Sequence, residues 1–382
     1  MIVTKEIVPG EVLLRFPLGT YISPLNLRGT DMEPIVAELD KFYGLVLVLL
    51  YELSLGAKSQ FAQHLALLDK ELVPLPRFWT AAEQTELQDD VLIAHYRDQR
   101  KDLDYKYFET RAVLKKYKRY DLLQTLTPEL YEWAVCIVKT RSHEGVNDTN
   151  SMLPVADLMN HHTTHYIGWS MNGPEYVFAA LTHQAGFAPG SQIYQNYGGG
   201  EDNRHTLGEY GYVPFPNLLN SEFLYMDEVS DSEWLDDKIE ATEWENGELS
   251  LDYVVSGTDV QRFFRIAVAT PRADDSELDL RFDWEQERQA MALCVGVMRD
   301  KLERRRTTIG EDYLLLHNPP SSLGHTTRMK LALMYRIDAK VVLHRHLHFC
   351  QRIYGKVLPC LAHKRSLVAQ WRYFSALRFQ EK

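Results

Sequence analysis

Two tyrosines and an Asn-His pair are the residues of this sequence whose types and spacing suggest chemistry. Asn160 and His161 stand together in the otherwise apolar segment MLPVADLMNHH, where polar groups must find partners or carry function. Tyr197 and Tyr210 follow, thirteen residues apart. A tyrosine combines an aromatic face that attracts cations with a hydroxyl that donates or accepts hydrogen bonds. Two tyrosines could therefore surround a cationic amine.

The elements that must position these residues lie between residues 141 and 212. The order of apolar runs and glycines predicts a buried turn, a strand near residues 176–181, a tight glycine turn and a second strand. A loop ending in Tyr-Gly-Tyr is expected to place Tyr210 opposite Tyr197.

Each of these residues also has a structural interpretation. Tyr197 could be a half-buried residue of a strand, as β propensity favours. Arg141 and Asp157 could form a structural ion pair. Asn160 could simply cap a turn.

A histidine cluster was the remaining chemical candidate. His161, His162 and His165 resemble metal ligands, but neither an HExxH motif nor a suitably spaced carboxylate accompanies them. We therefore predict no metal site.

Three ordered motifs resemble the C-terminal half of a SET domain, in the branch similar to the Rubisco large-subunit methyltransferase. The family's Pro-x-Ala-Asp-Leu-x-Asn-His corresponds to residues 154–161, its Gly-x-Gln-Ile/Val-x-x-x-Tyr to 190–197, and its Tyr-Gly-Phe-Val to 210–213. The run TTIGED at 307–312 resembles the family's Thr-Thr-Ile-Glu-Glu-Asp. The resemblance covers almost the whole chain and is weakest at 217–280 and after 350.

The resemblance implies an α+β fold. A β-rich SET core would occupy residues 1–216, with a helical insertion at about 33–125, and an all-α substrate-binding domain would occupy 217–382. Local patterns agree with helices in both parts. Apolar spacing predicts one helix over 34–55 with Gly56 as its stop.

Two further helices have start signals. Thr80 with Glu83 forms a capping-box pattern, and Thr127-Pro128 supplies an N-cap followed by proline at the first helical position. In the C-terminal part, two apolar faces are predicted. They comprise Met291, Val295, Met298 and Leu302, and Leu331, Tyr335 and Val342.

The activity implied by the resemblance is S-adenosylmethionine-dependent N-methylation of a lysine on a non-histone protein. The same resemblance assigns roles to seven residues: catalysis to Tyr197; donor binding to Arg141, Asn160, His161 and Tyr197; substrate binding to Asp157, Tyr166 and Tyr210. The implied cofactor is S-adenosylmethionine and the implied partner is a protein substrate.

Two other functions stay open. A histidine-modifying subgroup carries a Trp before the motif's Asp and lacks the Tyr before the second Gly, whereas this chain has Ala156 and Tyr210 there. His143 stands where lysine enzymes usually have an aromatic residue, so it fits either acceptor. The family's donor-holding Gly-x-Gly-type turn comes before the point where this sequence starts. We therefore expect weak donor binding without upstream residues, and a catalytically silent binding protein is the other alternative.

The overall composition and charge limit the classes of partner and the cellular compartments that we expect for this protein. The net charge of −11 argues against a general nucleic-acid binder. The longest apolar run, 44–50, is far shorter than the roughly 20 residues of a membrane span. Four scattered cysteines without a Cys-x-x-Cys motif predict reduced thiols. We expect an intracellular monomer in the cytoplasm, the nucleus or an organelle, bound to neither membrane nor nucleic acid.

Overall fold

The structure is a computed structural model. It describes residues 1–145, 149–163, 167–183, 186–198, 202–230, 234–270, 278–280, 284–319 and 326–357. The chain divides into two compact units. The first comprises Met1–Trp79, Ala94–Gly200 and His205–Gly211, and the second comprises Thr80–Ile93, Glu201–Arg204 and Tyr212–Lys382.

The chain combines runs of α-helices with runs of β-strands, which agrees with an α+β fold. The α-helices of the described residues are α1 Glu33–Val36, α2 Lys41–Leu55, α3 Ala62–Leu65, α4 Ala81–Thr85, α5 Asp90–Lys116, α6 Tyr120–Thr125, α7 Pro128–Arg141, α8 Asn203–Tyr210, α9 Met226–Val229, α10 Leu235–Thr242, α11 Gly257–Val268, α12 Trp284–Glu303, α13 Ile309–His317 and α14 Thr327–Arg352. The strands are β1 Val12–Phe16, β2 Ser142–His143, β3 Ser151–Met152, β4 Asn160–His161, β5 Ile167–Asn172, β6 Glu175–Ala180, β7 Tyr194–Gln195, β8 Ser221–Tyr225 and β9 Glu248–Asp252.

The first unit contains a five-stranded sheet in the order β1-β6-β5-β7-β4. Strands β5 and β6 pair antiparallel around a turn at Gly173, whose φ of 58° suits glycine. Alternate residues of β6 are buried, so the strand predicted near 176–181 is confirmed. The short strand β4 pairs in parallel with β7. This pairing brings Asn160 and His161 beside the segment that leads to Tyr197.

The prediction of one continuous helix over 34–55 is wrong, because the helix is interrupted between Val36 and Lys41. The chain forms α1 and α2 instead, because the Asp40 carboxylate accepts a hydrogen bond from the Tyr43 main-chain N–H and caps a new helix. Helix α2 is buried along its length from Gly44 to Leu50, and it packs against α7. Gly56, with φ of 53°, ends it as expected.

Helix α7 delivers Arg141 to the site. The Thr127 hydroxyl accepts from the Leu130 main-chain N–H, and Pro128 occupies the first turn, so the predicted start is confirmed. The helix ends at Arg141, and the chain continues directly into β2.

The second unit contains the β8–β9 pair and the helices α9 to α14. The C-terminal region is therefore mainly helical, but the expectation that it is all-α is wrong, because β8 and β9 form an antiparallel pair. The Thr80–Glu83 capping box is present at the start of α4. Both predicted apolar faces are packed inward, with Leu302 partly buried and the rest buried. The expectation of reduced thiols is wrong for Cys294 and Cys350, which form a disulfide between α12 and α14. Cys136 is free and buried.

None of the helices within the described ranges combines the length and apolarity needed to cross a bilayer.

Candidate active site

The two tyrosines lie against each other in the first unit. Their ring centroids are 4.8 Å apart, and the Tyr210 hydroxyl donates to the Tyr197 main-chain oxygen at 3.1 Å. Tyr197 follows β7, whereas Tyr210 is the last residue of α8, so the prediction that a loop holds Tyr210 is wrong. A helix gives Tyr210 a more rigid support than a loop would.

Both phenols are neutral at pH 7. Burial raises the pKa of Tyr197, and the nearby Arg141 guanidinium only partly offsets this. Burial, with smaller contributions from Glu209 and Tyr197, raises the pKa of Tyr210 to about 12. Neither residue can therefore serve as a phenolate base near neutral pH.

The Tyr197 hydroxyl has a defined orientation. It donates to the main-chain oxygen of Met159 at 2.8 Å. Since its proton is engaged there, the lone pairs of the phenol oxygen are directed elsewhere. The hydroxyl is thus set up to accept a hydrogen bond from another group.

His161 supports the tyrosine from the other side. Its Nδ1 accepts the main-chain N–H of Tyr197 at 3.1 Å, and the two rings lie 5.2 Å apart. An accepting Nδ1 means a neutral imidazole whose proton is on Nε2. Asn160, its neighbour in β4, is exposed and lies opposite Tyr194 in the ladder.

Arg141 contacts the main chain of Asp157. Its Nη1 donates to the Asp157 carbonyl oxygen at 3.0 Å, while Nη2 is 3.5 Å from the exposed carboxylate of Asp69. The alternative of an Arg141 ion pair with the Asp157 carboxylate is therefore wrong. That carboxylate lies 3.0 Å from Nε2 of His64, in α3, and both side chains are buried.

His64 is the site residue that the sequence motifs missed. A histidine in the short apolar run FAQHLALL was the available signal, but its partner lies far along the chain. Only the tertiary fold brings His64 to Asp157.

His143 is enclosed by aromatic rings. The centroid of its ring lies 5.6 Å from that of Phe178 and 6.0 Å from that of Trp169. Its Nε2 is 3.4 Å from the Gln195 side-chain oxygen. Burial lowers the pKa of His143, which favours the neutral form. His143 is therefore a buried ring packed among aromatic residues, with a polar contact to Gln195.

The structure thus brings Arg141, Asp157, Asn160, His161, Tyr197 and Tyr210 into one unit, with direct contacts linking Arg141 to Asp157, His161 to Tyr197 and Tyr197 to Tyr210. Tyr166 and His165 lie outside the described residues. Among the side chains that are described, no group of three or more His, Cys, Asp or Glu is arranged as a metal site.

Sequence comparison finds related methyltransferases. No family model matches the chain. It is 23% identical over 268 residues to the pea chloroplast Rubisco large-subunit N-methyltransferase, a match covering 64% of this chain and 51% of that protein. It is 22% identical over 377 residues to an Arabidopsis thaliana chloroplast protein, [fructose-bisphosphate aldolase]-lysine N-methyltransferase, covering 90% of this chain and 75% of the relative. The region of the pea relative that matches this chain is thus about half of that protein's length.

Solved structures show the same fold. The SET domain of LSMT bound to lysine and AdoHcy superposes with a TM-score of 0.71 at 18% identity, covering 93% of this chain and 85% of that one. Rubisco LSMT bound to AdoMet gives a TM-score of 0.70 at 17% identity, with 93% and 85% covered. The chain therefore has the SET-domain fold of the Rubisco methyltransferase type, with a helical C-terminal region.

Proposed function

We propose that this protein is an S-adenosylmethionine-dependent lysine N-methyltransferase that acts on a non-histone protein. The observation that carries the proposal is the neutral tyrosine pair, in which the Tyr197 hydroxyl donates to the Met159 carbonyl and so leaves its lone pairs for a substrate nitrogen. Support comes also from the relatives, which are named as methyltransferases of Rubisco and aldolase. The structural neighbours are bound to AdoMet or to lysine with AdoHcy.

The donor site would be formed by Arg141, Asn160, His161 and Tyr197. The surroundings of Arg141 and Asn160 are compatible with a bound S-adenosylmethionine. Arg141 has a largely buried guanidinium whose Nη2 is held only loosely, so it can meet a carboxylate. Asn160 presents an exposed amide at the end of the sheet. When bound, the donor supplies an electrophilic methyl group on a sulfonium.

The amine must lose its proton before it can accept a methyl group. For a lysine with an ordinary pKa of about 10.4, deprotonation at pH 7 costs roughly 4–5 kcal/mol. A site with little water lowers that cost, because desolvation disfavours the ammonium. The Tyr197 oxygen can then accept one amine N–H and orient the nitrogen lone pair toward the methyl group.

Tyr210 and Asp157 would line the substrate side, and Tyr166 is proposed there as well. The face of Tyr210 can stabilise a methylated ammonium by cation–π attraction. The Asp157 carboxylate is directed to His64, so we assign Asp157 a role in shaping the substrate side rather than in binding the amine directly.

Lysine is the favoured acceptor for one specific reason. Ala156 and Tyr210 match the lysine pattern, and Tyr210 is placed against the ring of Tyr197. Histidine stays the second candidate because His143, which is aromatic but polar, stands where lysine enzymes usually have an aromatic residue. We further propose that the protein works inside the cell as a monomer without nucleic acid. The proposed domains are a SET domain of residues 1–216 and a protein-docking domain of residues 217–382.

The decisive experiment identifies the acceptor. Purified protein is incubated with a lysate and isotopically labelled donor, and methylated residues are mapped by mass spectrometry. The Tyr197→Phe variant serves as the control. We expect label on lysine side chains that is lost with this variant. Label on histidine would replace the lysine assignment, and no enzyme-dependent label would favour a silent binding protein.

A further inference from the structure

A five-residue segment, 155–159, supplies two main-chain acceptors to the site. The oxygen of Asp157 accepts from Arg141, and the oxygen of Met159 accepts from the Tyr197 hydroxyl. A single 3-10 turn, Ala156–Leu158, connects the two carbonyls. The orientations of Arg141 and Tyr197 therefore depend on how firmly this segment is held.

The segment begins with an unfavourable backbone conformation. Val155 has φ of 75° and ψ of −47°, a region that β-branched residues rarely adopt. The residue is 44% exposed, so packing of its side chain is a weak reason for the conformation. Such strain persists only where the surroundings impose it. The buried side chains of Ala156 and Met159 and a hydrogen bond from the Asp157 main-chain N–H to the Leu153 oxygen hold part of the turn.

The Asp157 carboxylate supplies a further contact to the turn. It has no exposed surface, and Nε2 of His64 lies 3.0 Å from its Oδ2 with 6% of the histidine side chain exposed. The two atoms are at ion-pair distance but are not aligned as a hydrogen bond. Within the described residues, His64 is the one basic side chain that lies within ion-pair distance of this carboxylate. A buried carboxylate is costly without such compensation.

We propose that His64 is a positioning residue of the site. By fixing the Asp157 carboxylate, it holds the strained turn, and through the two carbonyls it fixes Arg141 and Tyr197. Its effect on donor binding and turnover rests on the function proposed above. Its effect on the turn is independent of that function.

The first test measures donor affinity by calorimetry and turnover at saturating donor. In His64→Leu we expect each to fall about tenfold or more, since small displacements of positioned groups are costly. In His64→Gln the loss should stay below about threefold, because the amide of Gln reaches a similar place with an N–H group. His346→Leu is the matched control. His346 is a buried histidine of the second unit whose Nδ1 is 2.9 Å from the Val342 oxygen, and its loss should lower Tm without changing donor affinity.

The second test needs no activity. Val155→Gly is introduced with and without His64→Leu, and Tm is measured for all four proteins. The glycine's effect on the unfolded chain is the same in both backgrounds and cancels. We expect the change in Tm caused by Val155→Gly to be more positive by about 2 °C or more when His64 is present, because only the anchored turn is strained. If His64→Leu does not fold, His64→Leu/Asp157→Leu replaces it for donor affinity in the first test and for Tm in the second, since removing both partners leaves no unpaired charge.

The combined outcomes distinguish the positioning role of His64 from the proposed methyltransferase function. Wild-type donor affinity in a folded His64→Leu protein, together with additive Tm changes, overturns the positioning role. Coupled Tm changes in a protein that neither binds donor nor transfers methyl groups support the anchor and refute the proposed function.

Discussion

The Tyr210 hydroxyl donates to the main-chain oxygen of Tyr197, so one aromatic wall of the site holds the backbone of the other. The Tyr197 main chain is bound on both sides of its Cα, because its N–H donates to His161 Nδ1 and its carbonyl oxygen accepts from Tyr210. With its side-chain hydroxyl on Met159, Tyr197 has three polar attachments. Its ring is therefore fixed before any substrate arrives.

Tyr197→Phe should lose most turnover while keeping donor affinity. The ring still packs against Tyr210, and only the hydroxyl is removed. Losing one preorganised polar contact to a reacting centre typically lowers the rate about 10²–10³-fold. Turnover is measured at saturating donor. Tyr194→Phe is the control, because its hydroxyl contacts only the nearby Gln192 side chain in the hydrogen bonds described, at 2.9 Å. Retention of more than about a third of turnover in Tyr197→Phe would contradict the catalytic role.

Tyr210→Phe should change the product more than the rate. The variant keeps the aromatic wall but loses the hydrogen bond to the Tyr197 carbonyl and the polar group beside the amine. We expect a smaller rate loss than in Tyr197→Phe and a shift in the number of methyl groups added. Intact-mass analysis of a peptide product over time measures this. An unchanged distribution of methylation states would show that the hydroxyl serves the backbone alone.

Asp312→Ala should strongly destabilise the second unit. Its buried carboxylate is 2.8 Å from Arg336 Nη2 and 2.6 Å from Lys340 Nζ, both of which are buried. Removing it takes away the carboxylate that pairs with Lys340 and one of the two carboxylates that pair with Arg336, whose other partner is Glu86. Breaking a buried ion pair typically costs about 3–5 kcal/mol. Urea unfolding gives the change in free energy. Asp300→Ala is the control, because the Asp300–Arg304 pair is exposed and should contribute about 0–1 kcal/mol. Similar losses in both variants would refute the assignment.

Asp338 should make stability fall as pH rises. Burial raises the pKa of its carboxyl to about 6 from 3.8, although Asn203 and the Asn217 main-chain N–H donate to it. The folded state therefore binds the proton more tightly than the unfolded state. This contribution is fully present below about pH 4 and is lost as pH approaches and passes about 6.

The Asp338→Asn variant cannot titrate at this position. Plotting the difference in Tm between wild type and variant against pH removes the contributions of other groups. We expect the wild type to lose stability relative to the variant from about pH 4 to pH 6. Parallel curves across this window would show that Asp338 does not titrate as assigned.

Local signals predicted the parts of the fold that depend on a few neighbouring residues. The caps at Thr80 and Thr127 are confirmed because an N-cap hydroxyl and its N–H partner lie within one turn. The split between α1 and α2 has the same kind of cause. The Asp40 cap was present in the sequence, but the continuous apolar spacing around it suggested one helix.

Contacts between distant residues were beyond local patterns. The partner of Asp157 in space is His64, which no spacing rule connects to it, and the Cys294–Cys350 disulfide joins residues 56 apart. Motif order placed the tyrosines in the site, but it did not reveal that a helix carries Tyr210. The roles of the site residues and the domain boundary at 216 stay predictions.

The parallel pairing of β4 with β7 has a kinetic consequence. Each strand has only two residues, and the segment between them includes the β5–β6 hairpin. A hairpin closes within microseconds, whereas a pairing that spans it must first overcome the entropy of closing a longer loop. We therefore expect a refolding chain to regain its bulk secondary structure before it can bind a ligand at Tyr197. Under mild denaturation the same short ladder should open first, and the site would be lost while most of the molecule is still folded.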